Sequence, residues 1–351
     1  MKRIVAIAGL LALAALPGRA QTGAAPRPVI FRTQTMGTWA SLTLVTADSA
    51  AVSDVAYRSL LVLHRVDSLM SNWTTTSEVA RINRVAGSGA TPVHPEVAEV
   101  IGVAQTVTRE SGGAFDITVE PLVRLWGFLD GTPHVPSQSE IDRARARVGP
   151  GKIHFDASAG TIRFERDDVR IDLGGIAKGY GVDQVASLLR AEHVTSALID
   201  LSGNMVAIGG AVTHPGWNVG IRDPSGVYPM LGRIRLENDA IATSGDYEQF
   251  VSADGKRYGH ILDPRTGWSA HGLSSATVVA GAATLCDAWA TALFVLGPDA
   301  ARATARARSD IAVVLVEPNA DGTTTIWVEE QLRNRFAPEA ELPSTFVTRY
   351  F

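Results

Sequence analysis

The stretch from Ala282 to Leu296 constrains the fold most, because it reads as a helix that is apolar on nearly every side and carries one charge, Asp287. Such a helix has to be surrounded by other elements rather than laid on a surface. Residues four apart share a helical face, so Asp287 and Thr291 project two oxygens to one side of it. A buried aspartate is costly unless paired or metal-bound. Two readings stay open on spacing alone. Asp287 caps the helix N-terminus with Thr291 bonded back to a carbonyl, or the two are hard oxygen ligands suited to Mg²⁺ or Ca²⁺. The only cysteine, Cys286, can form neither an internal disulfide nor a thiolate zinc site, so any metal is held by oxygen or imidazole.

Around that helix, strand and helix patterns interleave. Alternation predicts a strand over Thr38–Val45, and apolar residues at the helical period predict helices over Val52–Met70, capped by Asp48 or Ser49, and over Glu96–Arg109. After a turn-rich stretch from Asp130 to Ser139 come a short helix near Ile141–Val148 and a strand pair at Ile153–Phe155 and Thr161–Phe164. A strand over Val169–Leu173 runs through glycines into a helix from Ala177. Further strands are expected at Ala197–Leu201, Trp217–Ile221, Ile234–Leu236, Ser275–Val279, Ile311–Val316 and Thr323–Val328. No clean βαβ repeat and no internal repeat emerges, so the pattern predicts a single composite α+β domain over residues 31–351.

The first twenty residues read differently. Lys2 and Arg3 precede an apolar run from Ile4 to Leu16, then Pro17, Gly18, Arg19 and Ala20. The run is too short to span a bilayer and has the order of a secretory signal peptide cut after about Ala20, with 21–30 as a linker. No cysteine follows it, so the expected product is periplasmic and not a lipoprotein. The chain has a formal net charge of −4; Lys2, Arg3 and Arg19 are the only charges of the first twenty residues, and without them 29 bases face 36 acids, a net −7. That balance gives no electrostatic footprint for nucleic acid or an anionic membrane surface.

Four stretches could carry chemistry. Ile171 to Gly181 (IDLGGIAKGYG) offers glycines and helix-start amides to an anion such as phosphate, or forms a plain structural turn; it matches neither a Rossmann fingerprint nor a Walker loop. Ala242–Tyr247, followed by Tyr258–Gly267, brings His260 and Asp263 close in sequence, as a base with its neighbour or as structural hydrogen-bonding groups. Asp287 to Thr291 is the third. In the fourth, Gly112–Leu122, Asp116 suits recognition of a ring edge or a helix cap equally.

Together these residues resemble the ApbE-type flavin transferases, which move FMN from FAD onto a Thr or Ser of a target protein. The matching segments are Met36-Gly37-Thr38, Met70–Trp73 with Ser77-Glu78 and Asn83, Gly113–Thr118, Ile171–Asp183, Ala242–Tyr247, His260–Gly267 and Asp287–Thr291, in the family's order along nearly the whole chain. The resemblance implies an α+β fold with an FAD site between two lobes. It implies that Met36 and Trp73 border the flavin, Trp73 standing where the family more often has Tyr. It further implies FAD contacts from Ala114, Phe115, Asp116, Asp172, Lys178 and the backbone near Leu262. Asp287 and Thr291 match the family's Mg²⁺ ligands, with the Gly175 carbonyl completing the protein's share; Ala290 stands where some members have a second Asp. His260 matches the histidine implicated in transfer, with Asp263 as the residue that would orient it.

The implied reaction is attack of an acceptor hydroxyl on the FMN-side phosphorus of FAD, forming a phosphoester and releasing AMP. The implied acceptor carries Asp-x-x-Ser/Thr-Gly-Ala-Ser/Thr, as in membrane electron-transfer subunits. Two other readings fit the same residues: an FAD pyrophosphatase giving FMN and AMP, and a non-catalytic periplasmic FAD-binding protein.

Overall fold

The structure, a computed structural model, describes residues 25–129, 131–247 and 249–351. The expected signal segment, 1–20, and residues 21–24 of the expected linker lie outside them. β1 (Arg27–Thr35) and β2 (Thr38–Thr46) form a hairpin, so Arg27 to Ile30, expected as linker, belong to a strand. Its two turn residues, Met36 and Gly37, both have positive φ (48° and 72°), the turn geometry whose twist suits a two-residue hairpin. α1 (Ser53–Met70) begins at Val52, not at an Asp48 or Ser49 cap, because the Asp48 carboxylate accepts from the Ala50 amide (2.9 Å) in the preceding turn.

α2 (Glu78–Arg84), β3 (Thr91–Pro92), α3 (Pro95–Glu110) and α4 (Glu120–Leu125) follow. α5 (Gln138–Arg145) starts earlier than its apolar period suggests, because Glu140 accepts from the Ser137 amide (2.8 Å) in a capping box. β4 (Ile153–Asp156) and β5 (Thr161–Phe164) pair as expected, with β3 as a third strand. The strand expected over Val169–Leu173 is absent. The Ile171 peptide is held by side chains instead of a ladder: its N–H donates to Asn83 Oδ1 (2.8 Å) and its carbonyl accepts from Asn83 (2.9 Å) and Asn72 (3.1 Å).

The second half contains α6 (Ala177–Ala191), β6 (Ala197–Leu201), β7 (Asn204–Ile208), β8 (Trp217–Ile221), β9 (Gly232–Leu236), β10 (Ala240–Gly245), β11 (Phe250–Ala253) and β12 (Lys256–Gly259). β13 (Ser275–Ala280), α7 (Ala283–Leu296), α8 (Pro298–Arg306), β14 (Ile311–Pro318), β15 (Thr324–Val328), β16 (Phe336–Pro338) and β17 (Phe346–Tyr350) complete it. Nine strands make one sheet in the order β1-β2-β6-β7-β10-β13-β14-β15-β17, antiparallel throughout except for the parallel pair β15–β17.

This sheet is covered on both faces. Along β14, Ile311, Val313 and Leu315 join the core under the helices, while Ala312, Val314 and Val316 join a second core with β8 and β9. A strand buried on both sides loses the polar alternation of a one-sided antiparallel sheet, which is why β13 and β14 read as continuous apolar runs. α7 lies in the helix layer against β10, β13 and α6. A smaller cluster built from Leu122, Trp126, Phe128, Ile141, Ala144 and Leu262 sits beside the main core. The observed class is α+β, in one domain.

Candidate active site

A cleft of about 1060 Å³ opens between the end of the main sheet and the smaller cluster. That is the upper end of small-molecule site volumes and room for a dinucleotide. It is lined by Met36, Trp73, Ala114, Phe115, Asp116, Asp172, Gly175, Lys178, His260, Leu262, Asp287 and Thr291, residues drawn from six separated segments. Every residue given a site role from the sequence lines it except Asp263.

The inner wall is the crossing of α6 and α7. A Cβ on Gly179 would stand 2.2 Å from the Ala283 carbonyl oxygen and 2.8 Å from Asp287 Cβ, so only glycine lets the two helices come this close. At this crossing the Gly179 amide donates to Asp287 Oδ2 (2.9 Å). The N-terminus of α7 is capped not by Asp287 but from α6: Asp183 accepts from the Ala283 and Thr284 amides, both at 2.8 Å, and from Thr284 Oγ1 (2.6 Å). This excludes the cap reading of Asp287 and leaves it one turn inside, 5% exposed and facing the cleft. Thr291 Oγ1 bonds Ser244 Oγ (3.1 Å) rather than a helix carbonyl. A Cβ on Gly175 would meet Thr291 Oγ1 at 3.4 Å and Phe115 Cε2 at 3.2 Å.

Gly175, Asp287 and Thr291 therefore converge as a set of hard oxygen donors with a single carboxylate. Among the described residues no three His, Cys, Asp or Glu side chains gather as a metal site. A cation here would be held by one carboxylate and neutral oxygens, a donor set that suits Mg²⁺ and not a soft metal.

Beside this wall, Asp172 Oδ1 accepts from the Gly174 amide (2.7 Å), and Lys178 Nζ reaches the Gly174 carbonyl (3.3 Å). Burial pushes the Asp172 carboxyl above the usual range against that hydrogen bond. Asp116 Oδ1 caps the following single turn, accepting from the Thr118 amide (2.8 Å) and hydroxyl (2.7 Å), and burial raises its pKa as well. The ring-edge and cap readings of Asp116 are thus compatible: one oxygen caps while the residue lines the cleft. Trp73, 63% exposed, stands at the cleft mouth near the Met36 turn, which the Asp67 carboxylate fixes by accepting from the Met36 amide (2.9 Å).

The outer wall carries His260, just beyond β12. Its ring packs edge-on to Phe128 (6.3 Å between centroids), and Nδ1 lies 3.3 Å from the Gln249 carbonyl. A carbonyl can only accept, so Nδ1 is the donor in this bond. Asp263 does not orient it. Its carboxylate takes the Arg265 amide (2.9 Å) and guanidinium (2.8 and 2.9 Å), closing the turn from 263 to 267. The local pull of an adjacent amide and arginine outweighs closeness in sequence.

No sequence motif marks the cationic rim. Arg222 lies over the Tyr247 ring (5.4 Å) and Arg257 over Phe250 (3.7 Å), all four lining the cleft. The two arginines are distant in sequence and in no motif. Asp67 was legible only as a polar residue at a helical position, and Asp183 and Ser244 lay inside the matching segments without an assigned role.

Comparison with known proteins agrees with this geometry. The pattern of the ApbE family matches residues 36–315. A protein of Salmonella typhimurium (strain LT2) named FAD:protein FMN transferase is 31% identical over 318 residues, 89% of this chain and 90% of that one. The protein of that name from Haemophilus influenzae is 31% identical over 336 residues, 93% and 96% of the two chains. The solved structure of flavin transferase ApbE from Vibrio cholerae superposes with a TM-score of 0.80 at 29% identity, covering 88% of this chain and 99% of that one. The ApbE protein of Thermotoga maritima superposes at 0.77 with 31% identity, over 85% and 96%. With both the sequence pattern and the superposed folds spanning the segments that build the cleft, the chain belongs to the ApbE family.

Proposed function

We propose that this protein is an exported FAD:protein FMN transferase, moving FMN from FAD to a Ser or Thr hydroxyl of an acceptor protein, with a phosphoester formed and AMP released. The observation that carries the reading is the convergence of Gly175, Asp287 and Thr291 with His260 in one dinucleotide-sized cleft. Family membership and the names of the relatives support it.

FAD would lie with its flavin near Met36 and Trp73 and its pyrophosphate against the Gly174–Lys178 segment. There the start of α6 presents amide groups to an anion, and Lys178 and the rim arginines add positive charge to an otherwise acidic protein. Mg²⁺ held by Asp287, Thr291 and the Gly175 carbonyl would supply Lewis-acid polarisation of the pyrophosphate and a template for it. His260 Nε2 takes the proton from the incoming hydroxyl as its oxygen bonds to the FMN-side phosphorus. The bond to the AMP phosphate breaks, and AMP leaves with the electron pair. Asp116 and Phe115 fix the ligand beside these groups.

The acceptor of this reading carries Asp-x-x-Ser/Thr-Gly-Ala-Ser/Thr, as in membrane electron-transfer subunits, and the charge order of residues 1–20 supports delivery to the periplasm. The test combines protein, FAD, Mg²⁺ and an acceptor with that pattern, and follows in-gel flavin fluorescence together with AMP. Fluorescent acceptor with stoichiometric AMP is expected. AMP without labelled acceptor would make the enzyme a hydrolase, and absence of both would refute the catalytic reading.

A further inference from the structure

The rim of the cleft carries two cations that no ion pair occupies. Arg222 and Arg257 are exposed and line the cleft, and neither meets a carboxylate at ion-pair distance among the described residues, although acids outnumber bases 36 to 32 in the chain. Asp223, next to Arg222 in sequence, spends its carboxylate on the Ser225 and Tyr228 amides, both at 3.0 Å. Arg257 donates to a main-chain carbonyl, that of Asp246 (2.9 Å), whose carboxylate feels the charge without pairing with it. Each guanidinium is laid on an aromatic ring instead, Arg222 5.4 Å from the centre of Tyr247 and Arg257 3.7 Å from that of Phe250. Stacking holds such a group in place while its N–H edge stays available to a planar anion.

The backbone puts both arginines at the station of His260. Tyr247 and Phe250 are three residues apart, and between them the Gln249 carbonyl accepts from the His260 amide (3.0 Å) and lies 3.3 Å from its ring Nδ1. Arg257 belongs to β12, the strand that leads into His260. In the β11–β12 hairpin, Ser252 faces Arg257 and Phe250 faces Gly259, so alternation sets Phe250 and Arg257 on one face, while Val251 and Tyr258 pack on the other against the smaller cluster. The stacked cations and the histidine therefore share the outer wall. The oxygen donors and helix-start amides offered to a pyrophosphate stand on the inner one.

We infer that Arg222 and Arg257 are the docking site for a carboxylate of the acceptor protein, gripping it beside the hydroxyl that is brought to His260. This rests on the FMN-transfer reading above. The occupant follows from charge and place. A carboxylate matches the guanidinium fork in shape and sign. Both arginines are exposed at the mouth, where a protein substrate arrives, and Phe250, 46% exposed, adds an aromatic contact of the kind that anchors interfaces. The acceptor pattern of that reading opens with an aspartate, and this is the carboxylate to vary.

A double-mutant cycle tests it, reading the KM for acceptor from initial rates of flavin labelling at saturating FAD and Mg²⁺. With the wild-type enzyme, replacing the acceptor aspartate by asparagine should raise KM about 10-fold and leave kcat nearly unchanged. The double variant Arg222→Gln, Arg257→Gln should raise KM for the aspartate acceptor by a similar factor and treat the two acceptors alike. The acceptors are compared within one enzyme, so any change in FAD binding or folding cancels. Equal KM for both acceptors in the wild-type enzyme would overturn this assignment alone. So would a preference for aspartate that survives in the variant, which would leave the arginines to FAD. Failure of the wild-type protein to label the aspartate acceptor would instead overturn the transfer reading, and this assignment with it.

Discussion

The two walls of the cleft are made by different means. The inner wall is the crossing of α6 and α7, set by Gly179, the Asp183 cap and the core beneath. The outer wall, with His260, rests on a small aromatic cluster of Trp126, Phe128, Tyr258 and Trp268 and on hydrogen-bonded turns. Groups that must hold charge in place are tied to the largest core, where any displacement costs packing. The group that must take up a proton sits on a smaller unit. Disturbing the inner wall should therefore cost both stability and turnover, whereas disturbing the outer wall should cost turnover alone.

The hardest blow to the inner wall is Gly179→Ala. Its new methyl would overlap the Ala283 carbonyl, so about 3 kcal/mol of stability should be lost by denaturant titration, together with transfer. A variant as stable as wild type would mean that the helices separate freely and that the wall is not rigid.

On the outer wall, His260→Ala should leave the melting temperature and FAD affinity unchanged while slowing transfer at least about 100-fold. Asp263→Asn is its control. Because Asp263 serves the Arg265 turn, the variant should lose less than about 1 kcal/mol and keep the pH–rate profile. A shifted profile would restore Asp263 as the partner of His260. Ser244→Ala, which leaves Thr291 Oγ1 without its hydrogen-bonded neighbour, should raise the Mg²⁺ concentration needed for half-maximal transfer about 10-fold with little change at saturation.

The smallest expected effect is electrostatic. Burial raises the Asp116 pKa, so the folded protein binds that proton more readily than the unfolded chain. Its ionised form costs stability at neutral pH, and the cost is relieved as pH falls through the raised folded value. Asp116→Asn, which keeps an oxygen for the Thr118 cap, should therefore raise the melting temperature by about 1–2 °C at pH 7. That advantage should vanish in acid, below the ordinary aspartate range. A constant advantage across pH would assign the gain to something other than charge.

Helices were readable because periodicity reports burial, as with α1, and two-sided strands because a short unbroken apolar run does, as with β14. Segments whose backbone is satisfied by distant side chains were not. Val169–Leu173 has the composition of a strand, but Asn83 and Asn72 take the place of a neighbouring strand, and nothing local announces this. The site was legible where its residues lie in compact motifs, as Asp172–Lys178 and Asp287–Thr291 do. It was illegible where single residues from remote segments meet only in space, as with Arg222 and Arg257. The sequence-adjacent pair His260 and Asp263 shows the converse error, since neighbours in a turn commonly point to different tasks.

The grip of α6 on α7 also limits how this site could be moved. Asp287 and Thr291 sit on one helix, which suggests grafting that helix into another scaffold. Yet the amide that meets Asp287 and the carboxylate that starts α7 both belong to α6. The smallest portable unit is the crossed pair with Gly179 at its contact, and a designer who transplants α7 alone would carry over the ligands without the frame that aims them.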